Sequence, residues 1–354
     1  MKKTLFDVCR IGSLSLKNRV VLAPLTRGRA GESRQPNEMM GHYYKARSSA
    51  GLLISEATSI SEEGLGWIGS PGIYSERMVE GWRQVVCALD KAPLFLQLWH
   101  CGRASHSDFL KGSRPFSASA VKLNRDFIRT PRGERHYEVP QPMTKADIAR
   151  TVDHYRRAVL LAKQAGCAGV EIHAANGYLI NQFIDASSNL RTDEYGGSLE
   201  NRFRFLREIV EAILTVLRPE QVGVRISPNG SHNNMDSPDF REMNLYIAKE
   251  LNQYALGYLH VMDGLAFGFH EMGAPMTLAE FRPLFDQVLI GNCGYTLETA
   301  QAAIASGDAD LIAFGRPYIT NPDLVERFQT GQQLNRWDDN RYWYGGGELG
   351  YTVL

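Results

Sequence analysis

Charge of either sign in excess is the first thing this chain of 354 residues lacks. Lys+Arg and Asp+Glu both number 39, so the formal net charge is zero. A protein that works mainly on nucleic acid or an anionic membrane surface carries a basic excess, and this balance argues against both partners. Long hydrophobic runs are missing too: no apolar stretch approaches the ~20 residues of a membrane span. Cysteine is sparse. Cys9, Cys87, Cys101, Cys167 and Cys293 are scattered, odd in number and form no C-x-x-C pair. That pattern argues against a disulfide framework or a structural zinc site and favours a reducing compartment. Behind Met1-Lys2-Lys3 no apolar stretch follows, so no signal peptide is read and a cytoplasmic protein is expected.

What is present is a repeated alternation. Eight short apolar runs, at 20–23, 52–56, 94–97, 170–173, 222–226, 258–262, 288–290 and 311–314, are near-continuous in hydrophobicity, as parallel strands covered on both faces should be. Between and after them, segments 37–49, 77–90, 145–165, 199–217, 238–256, 277–285, 297–306 and 323–328 carry apolar residues at helical spacing. Thr144 with Asp147, Ser198 after two glycines, and Ser237 before Pro238 all read as helix starts. Eight strand–helix alternations with no dividing linker predict an α/β fold, a (β/α)8 TIM barrel forming one domain over 1–354. Two segments lie outside the count. Residues 5–18, with a Gly12-Ser13 turn, predict a hairpin plugging the N-terminal mouth. Residues 98–143 form an inserted capping segment after the third strand, with a second hairpin turning at 131–133.

A barrel of this kind works at the C-terminal ends of its strands. The fourth run ends in His173, with Asn176 and Tyr178 in the turn beyond. Two of these side chains can donate hydrogen bonds to one acceptor oxygen while Tyr178 supplies a proton beside it, which suits activation of a carbonyl without a nucleophile. Read alone, an H-x-x-N is better explained as a capped strand end with a satisfied histidine, so the rest of the chain has to decide. The seventh and eighth strands run into Gly291-Asn292-Cys293-Gly294 and Gly315-Arg316, in the two loops where barrels often hold a phosphate. Gln97 and Arg225, at the ends of the third and fifth strands, can bind the N–H and C=O edge of a flat heterocycle and stabilise negative charge on it. A phosphate site, a ring-edge site and a carbonyl-activating group in one mouth together suggest a phosphorylated redox cofactor with a substrate stacked on it. His100, Cys101 and His106 lack the spacing of a ligand set, so no metal is expected.

Several motifs then carry a resemblance. Ala23-Pro24-Leu25-Thr26-Arg27, Ser55-Glu56-Ala57-Thr58, Gln97-Leu98-Trp99-His100, Glu171-Ile172-His173 through Asn176-Gly177-Tyr178, Val224-Arg225-Ile226-Ser227-Pro228, Phe314-Gly315-Arg316-Pro317 and Tyr344-Gly345-Gly346-Gly347 follow in order. Over essentially its whole length the chain resembles the Old Yellow Enzyme family of FMN-dependent ene-reductases. Thr26 where other members have cysteine places it with the yeast-enzyme-like and enterobacterial subgroup. The resemblance implies tightly bound, non-covalent FMN. Pro24, Leu25 and Ala57 would contact the ring through their backbone, and Thr26 would tune it. Gln97 and Arg225 would hold its pyrimidine edge, while Asn292, Cys293, Gly315 and Arg316 would cradle the phosphate. His173 and Asn176 would bind the substrate carbonyl, Tyr178 would donate the proton, and Trp67, Trp99 and Tyr344 would form aromatic walls.

The reaction so implied is reduction of FMN by NADPH or NADH, followed by hydride from flavin N5 to Cβ and a proton to Cα of an activated alkene. Such alkenes include α,β-unsaturated ketones, aldehydes and imides, and nitroalkenes. Oligomeric state is left between monomer and homodimer. Two rivals stand beside this reading: a flavin-free phosphate-binding barrel lyase or isomerase, and a noncatalytic flavin-binding protein. The basic hairpin bearing Arg125, Arg129, Arg132 and Arg135 reads as a solvated charged loop, with contact to coenzyme phosphates as the sharper alternative.

Overall fold

The computed structural model describes residues 2–336 and 340–353. Eight strands form its centre: β1 Val20–Leu22, β2 Leu52–Ile54, β3 Leu94–Trp99, β4 Gly169–His173, β5 Val222–Ile226, β6 Tyr258–Val261, β7 Val288–Asn292 and β8 Leu311–Phe314. Each pairs in parallel with the next, and β8 pairs with β1, so the sheet closes into a barrel. The helices that cover it are α1 Glu38–Lys45, α2 Glu76–Cys87, α3 Lys145–Gln164, α4 Leu199–Leu214, α5 Phe240–Asn252, α6 Leu278–Phe281, α7 Leu297–Ser306 and α8 Leu324–Thr330. This is the expected (β/α)8 barrel. Among the described residues, no helix is long and apolar enough to cross a membrane.

The helix starts follow local chemistry, with one correction. Thr144 and Asp147 form a reciprocal capping box, and Ser198 accepts from the Asn201 N–H. Ser237 does not cap: α5 begins at Phe240 behind Asp239, whose carboxylate is held by Arg202 and receives the Ser237 hydroxyl. The sixth helix is shorter than the 277–285 expected. It gives way to a 3-10 turn at Arg282–Leu284, where Pro283 cannot donate to the helical ladder.

The barrel interior has two layers of opposite character. Toward the N-terminal end Val21, Leu52, Phe95, Tyr258, Ile290 and Leu311 form one apolar cluster. The hairpin of Cys9–Ile11 and Leu14–Leu16 adds Cys9, Ile11 and Leu16 to it, plugging that mouth as expected. Glycines make the room: a Cβ at Gly169 would lie 2.6 Å from the Phe95 ring, and one at Gly223 would lie 2.2 Å from the Tyr258 ring. Toward the C-terminal end the interior is lined by buried Gln97, Glu171, Arg225, His260 and Asn292.

The insertion after β3 carries the expected antiparallel hairpin, Ile128–Thr130 with Gly133–Arg135. Its Leu123, Ile128 and Tyr137 pack in one cluster with Trp99 and Tyr178, which brings the segment against the C-terminal mouth.

Candidate active site

Strand β4 is a short apolar run, and it delivers His173 to the barrel rim. The chain then turns sharply. Asn176 and Gly177 both take left-handed backbone, at φ +57° and +67°. Asn tolerates this conformation, and Gly177 is required by space as well, since a Cβ there would lie 2.5 Å from Asn233 Cβ. The turn is pinned at both sides. The Asn176 N–H donates to Ser227 Oγ at 2.8 Å, and its carbonyl accepts from Asn233 Nδ2 at 2.9 Å. A short helix, Leu179–Ile184, follows. Its buried Gln182 accepts from the Arg103 N–H and donates to the Cys101 and Gly177 carbonyls, tying the turn to the loop after β3.

This brings the expected trio together. The Tyr178 ring stands edge-on to Trp99 at 4.9 Å and lies 5.2 Å from the His173 ring. His173 Nδ1, Asn176 Oδ1 and Trp99 Nε1 are buried without a hydrogen-bond partner among the described residues. Buried polar atoms are usually completed by a protein group, an ordered water or a ligand. Burial, reinforced by Arg225, His260 and His232, holds the His173 imidazole well below its ordinary pKa, so the ring is neutral and offers one donor and one acceptor. Burial likewise pushes the Tyr178 phenol up, which keeps its proton in place for donation.

Below the trio lies a polar network. Gln97 Nε2 donates to Glu171 Oε1 at 2.7 Å, and His260 Nδ1 lies 2.8 Å from Glu171 Oε2. Arg225 Nη2 donates to Asn292 Oδ1 at 2.7 Å, and Asn292 Nδ2 donates to the Ala313 carbonyl at 2.7 Å. The Asn292 N–H is taken by Asp263 Oδ1 at 3.1 Å, so in this structure Asn292 orients Arg225 and offers no free backbone donor. Arg225 Nε is buried and unpartnered among the described residues. Glu171 and His260 escaped the sequence reading. The signal was there: each is a polar residue inside an apolar strand run, and a buried carboxylate requires partners.

The loops after β7 and β8 lie side by side, Asn292 facing Ala313. Cys293 and Gly294 both have left-handed backbone, at φ +89° and +103°. Glycine is the usual residue for such a conformation, and a cysteine there carries strain of order 1–3 kcal/mol. Arg316 opens the short helix Arg316–Thr320 behind Gly315, with its guanidinium 5.5 Å over the Trp343 ring. Pro24 and Ala57 are buried at the rim, and Leu25 and Thr26 are half-buried. Trp67 meets Tyr344 with ring centroids 5.1 Å apart.

Tyr344 comes from a C-terminal tail that sequence reasoning left unanchored. Buried Arg27 donates to the Trp343 and Gly350 carbonyls at 2.8 and 2.5 Å, and Arg29 to the Gly347 carbonyl at 3.0 Å. Glu56 Oε2 accepts the N–H groups of Arg27 and Gly28 at 3.0 and 2.9 Å. His100 and His106, set aside as metal ligands, each accept a backbone N–H two residues on, from Gly102 and Asp108.

Comparison with known proteins decides the family. Residues 4–335 match the NADH:flavin oxidoreductase / NADH oxidase family. The chain belongs to this family. 12-Oxophytodienoate reductase 1 of Oryza sativa is 38% identical over 350 residues, covering 97% of this chain and 90% of the relative. A probable flavin mononucleotide-dependent alkene reductase of Leishmania infantum is 39% identical, covering 97% and 94%. Among solved structures, the old yellow enzyme homologue from Zymomonas mobilis superposes with a TM-score of 0.95 at 42% identity over 99% of both chains. Morphinone reductase gives 0.93 at 39% identity over 99% of this chain and 96% of its own.

This member of the Old Yellow Enzyme family is an FMN-dependent ene-reductase that takes its electrons from a nicotinamide nucleotide. The flavin-free lyase or isomerase is not favoured. The chain's own residues can accommodate such a cofactor: Arg225 is a buried cation with an unpartnered Nε among the described residues, and the loop after β7 has left-handed backbone at Cys293 and Gly294 beside the loop that carries Arg316.

Proposed function

We propose that His173, Asn176 and Tyr178 carry the substrate chemistry of this ene-reductase. The observation behind this is that three polar side chains meet at one strand end while His173 Nδ1 finds no partner among the described residues; Asn176 would donate through its Nδ2. His173 and Asn176 hydrogen-bond the oxygen of an α,β-unsaturated carbonyl compound or a nitroalkene and draw electron density from the alkene. Donors of this kind are each worth on the order of 3 kcal/mol in the barrier. When bound, FMN supplies the hydride that NADPH or NADH has provided. Tyr178 delivers the proton to Cα from a phenol that burial keeps protonated. Trp67, Trp99 and Tyr344 wall the pocket and hold the alkene flat.

For the cofactor, we assign Gln97 and Arg225 to the pyrimidine edge, the backbone of Pro24, Leu25 and Ala57 to the ring, and Thr26 to its tuning. Cys293, Gly315 and Arg316 are assigned to the phosphate, and Asn292, whose side chain accepts from Arg225 and whose N–H goes to Asp263, is assigned to orienting Arg225 at the pyrimidine edge. Residues 1–354 are read as one FMN-binding unit capped by 98–143, working in the cytoplasm as a monomer or homodimer. Sedimentation velocity of the yellow holoenzyme distinguishes those two states.

The test of the trio is Tyr178→Phe. Cyclohexenone reduction is expected to fall by about 10²-fold or more while flavin reduction by NADPH keeps its rate. Undiminished enone turnover refutes the proton-donor role. For the paired donors, His173→Ala with Asn176→Ala should abolish the long-wavelength charge-transfer band that a bound phenol produces. A retained band contradicts them.

A further inference from the structure

The polar floor beneath the trio contains one group that the proposed chemistry leaves unused. Glu171 is fully buried in mid-strand, and both its oxygens are engaged, one by Gln97 and the other by His260. An ionised carboxylate can only accept hydrogen bonds. Gln97 must therefore turn its NH₂ toward Glu171, and its carbonyl oxygen is the atom left for anything bound above. For the same reason His260 must carry its proton on Nδ1. His260 sits on β6, two strands from β4, so the contact crosses the barrel interior and braces it. Arg225, between them on β5, is the nearest cation.

We propose that Glu171, braced by His260, is a positioning residue that fixes the Gln97 amide with its oxygen toward the flavin edge and sets the charge that Arg225 presents there. This rests on the assignment of Gln97 and Arg225 to that edge. Burial opposes a charge on Glu171, but the Arg225 charge and the hydrogen bonds donated by His260 and Gln97 outweigh it and hold the carboxyl below its ordinary value. Burial lowers His260, so its ring is neutral. The floor then holds one anion and one cation. Removing the anion leaves Arg225 unopposed and favours the negatively charged reduced cofactor.

Two substitutions separate orientation from charge. Glu171→Gln keeps an oxygen for the Gln97 amide and offers its own NH₂ to His260, but removes the charge. Glu171→Met removes both acceptor and charge. With deflavinated and reconstituted protein, FMN affinity is read by fluorescence quenching and the flavin midpoint potential by equilibration with a reference dye. Both variants should have a more positive potential. Glu171→Gln should keep its FMN affinity within about threefold, whereas Glu171→Met should lose about tenfold, the worth of one misdirected hydrogen bond.

An unmoved potential in Glu171→Gln overturns the inference, and it decides alone if the methionine variant does not fold. Unchanged FMN affinity in Glu171→Met also overturns it, provided that Gln97→Ala weakens FMN. If Gln97→Ala leaves FMN binding untouched, the assignment of Gln97 itself falls, and this inference with it.

Discussion

The two ends of the barrel interior are built from the same strands and could hardly differ more. Phe95 and Gln97 share β3, Gly169 and Glu171 share β4, Gly223 and Arg225 share β5, Tyr258 and His260 share β6, and Ile290 and Asn292 share β7. In each case one step of two residues, about 7 Å along a strand, replaces an apolar or vacant position by a polar one. The lower layer is apolar and closed by the N-terminal hairpin, and the Tyr258 hydroxyl is the one buried polar side-chain atom of that cluster without a hydrogen-bond partner among the described residues. The upper layer leaves Arg225 Nε, His260 Nε2 and His173 Nδ1 buried without partners among the described residues. A barrel strand thus serves stability and chemistry at once, because alternate inward positions see different ends of the same tube.

The largest way to break this comparison is to damage the lower layer and ask whether the upper one notices. Phe95→Ala removes a ring packed 5.5 Å from Tyr258, beside Gly169. It is expected to cost about 3–5 kcal/mol of unfolding free energy, while FMN affinity in the folded protein changes by less than about twofold. Denaturant titration and flavin fluorescence measure the two, and a large loss of FMN affinity would show that the layers are coupled.

Glu56, at the C-terminal rim after β2, sharpens the comparison through pH. Burial pushes its carboxyl up from 4.5 to about 7, against the pull of the Gly28 and Arg27 N–H groups and the Arg27 and Arg29 charges. Between those two pH values the native state holds a proton that the unfolded chain has released. Its contribution therefore falls as pH rises through this window, and about 3 kcal/mol is lost by the time pH exceeds the native value. Glu56→Gln keeps an acceptor for the two N–H groups and should flatten that slope. Equal stability differences between variant and parent at pH 5 and pH 8 would refute the buried-carboxyl account. Gly177→Ala strikes the same end more gently. The left-handed turn and the 2.5 Å approach to Asn233 predict a loss of roughly 1–3 kcal/mol and a raised KM for enones through displacement of Asn176. An unchanged KM would show that Asn176 does not depend on this turn.

Much of this was legible in the sequence because parallel strands bury both faces and read as short apolar runs. Where a run stops, the next polar residue sits at the rim, so Gln97, His173 and Arg225 could be placed from the sequence. Contacts between distant segments could not. Arg27 reaches a carbonyl 316 positions away, and Glu171 meets His260 across the barrel, a pairing that no periodicity encodes. Backbone conformation was also hidden. Cys293 takes left-handed backbone that favours glycine, which its residue type does not signal. Ser237 fitted the composition of a cap, but its hydroxyl is committed to Asp239.

The smallest expected effect concerns the inserted hairpin, which lies against the polar end without sharing its unsatisfied character. Its four arginines all have partners within the protein, although two of them share one carboxylate and a third meets a neutral amide. Arg129 lies 3.6 Å from Glu134, Arg132 and Arg135 lie 3.7 and 3.3 Å from Asp108, and Arg125 donates to Asn233 Oδ1 at 3.2 Å. The Arg129 and Arg132 side chains are 86% and 75% exposed, so solvent screens what the acids do not neutralise. An incoming coenzyme phosphate therefore meets arginines that are already partnered and solvent-screened, unlike the buried cation at Arg225. The double variant Arg129→Ala with Arg132→Ala is expected to change the ratio of Michaelis constants for NADPH and NADH by less than about threefold, a difference below 1 kcal/mol. A tenfold loss of NADPH preference would mean that the hairpin gives up its internal pairs to bind the coenzyme, and the division between a self-satisfied periphery and an unsatisfied centre would no longer hold at this end of the barrel.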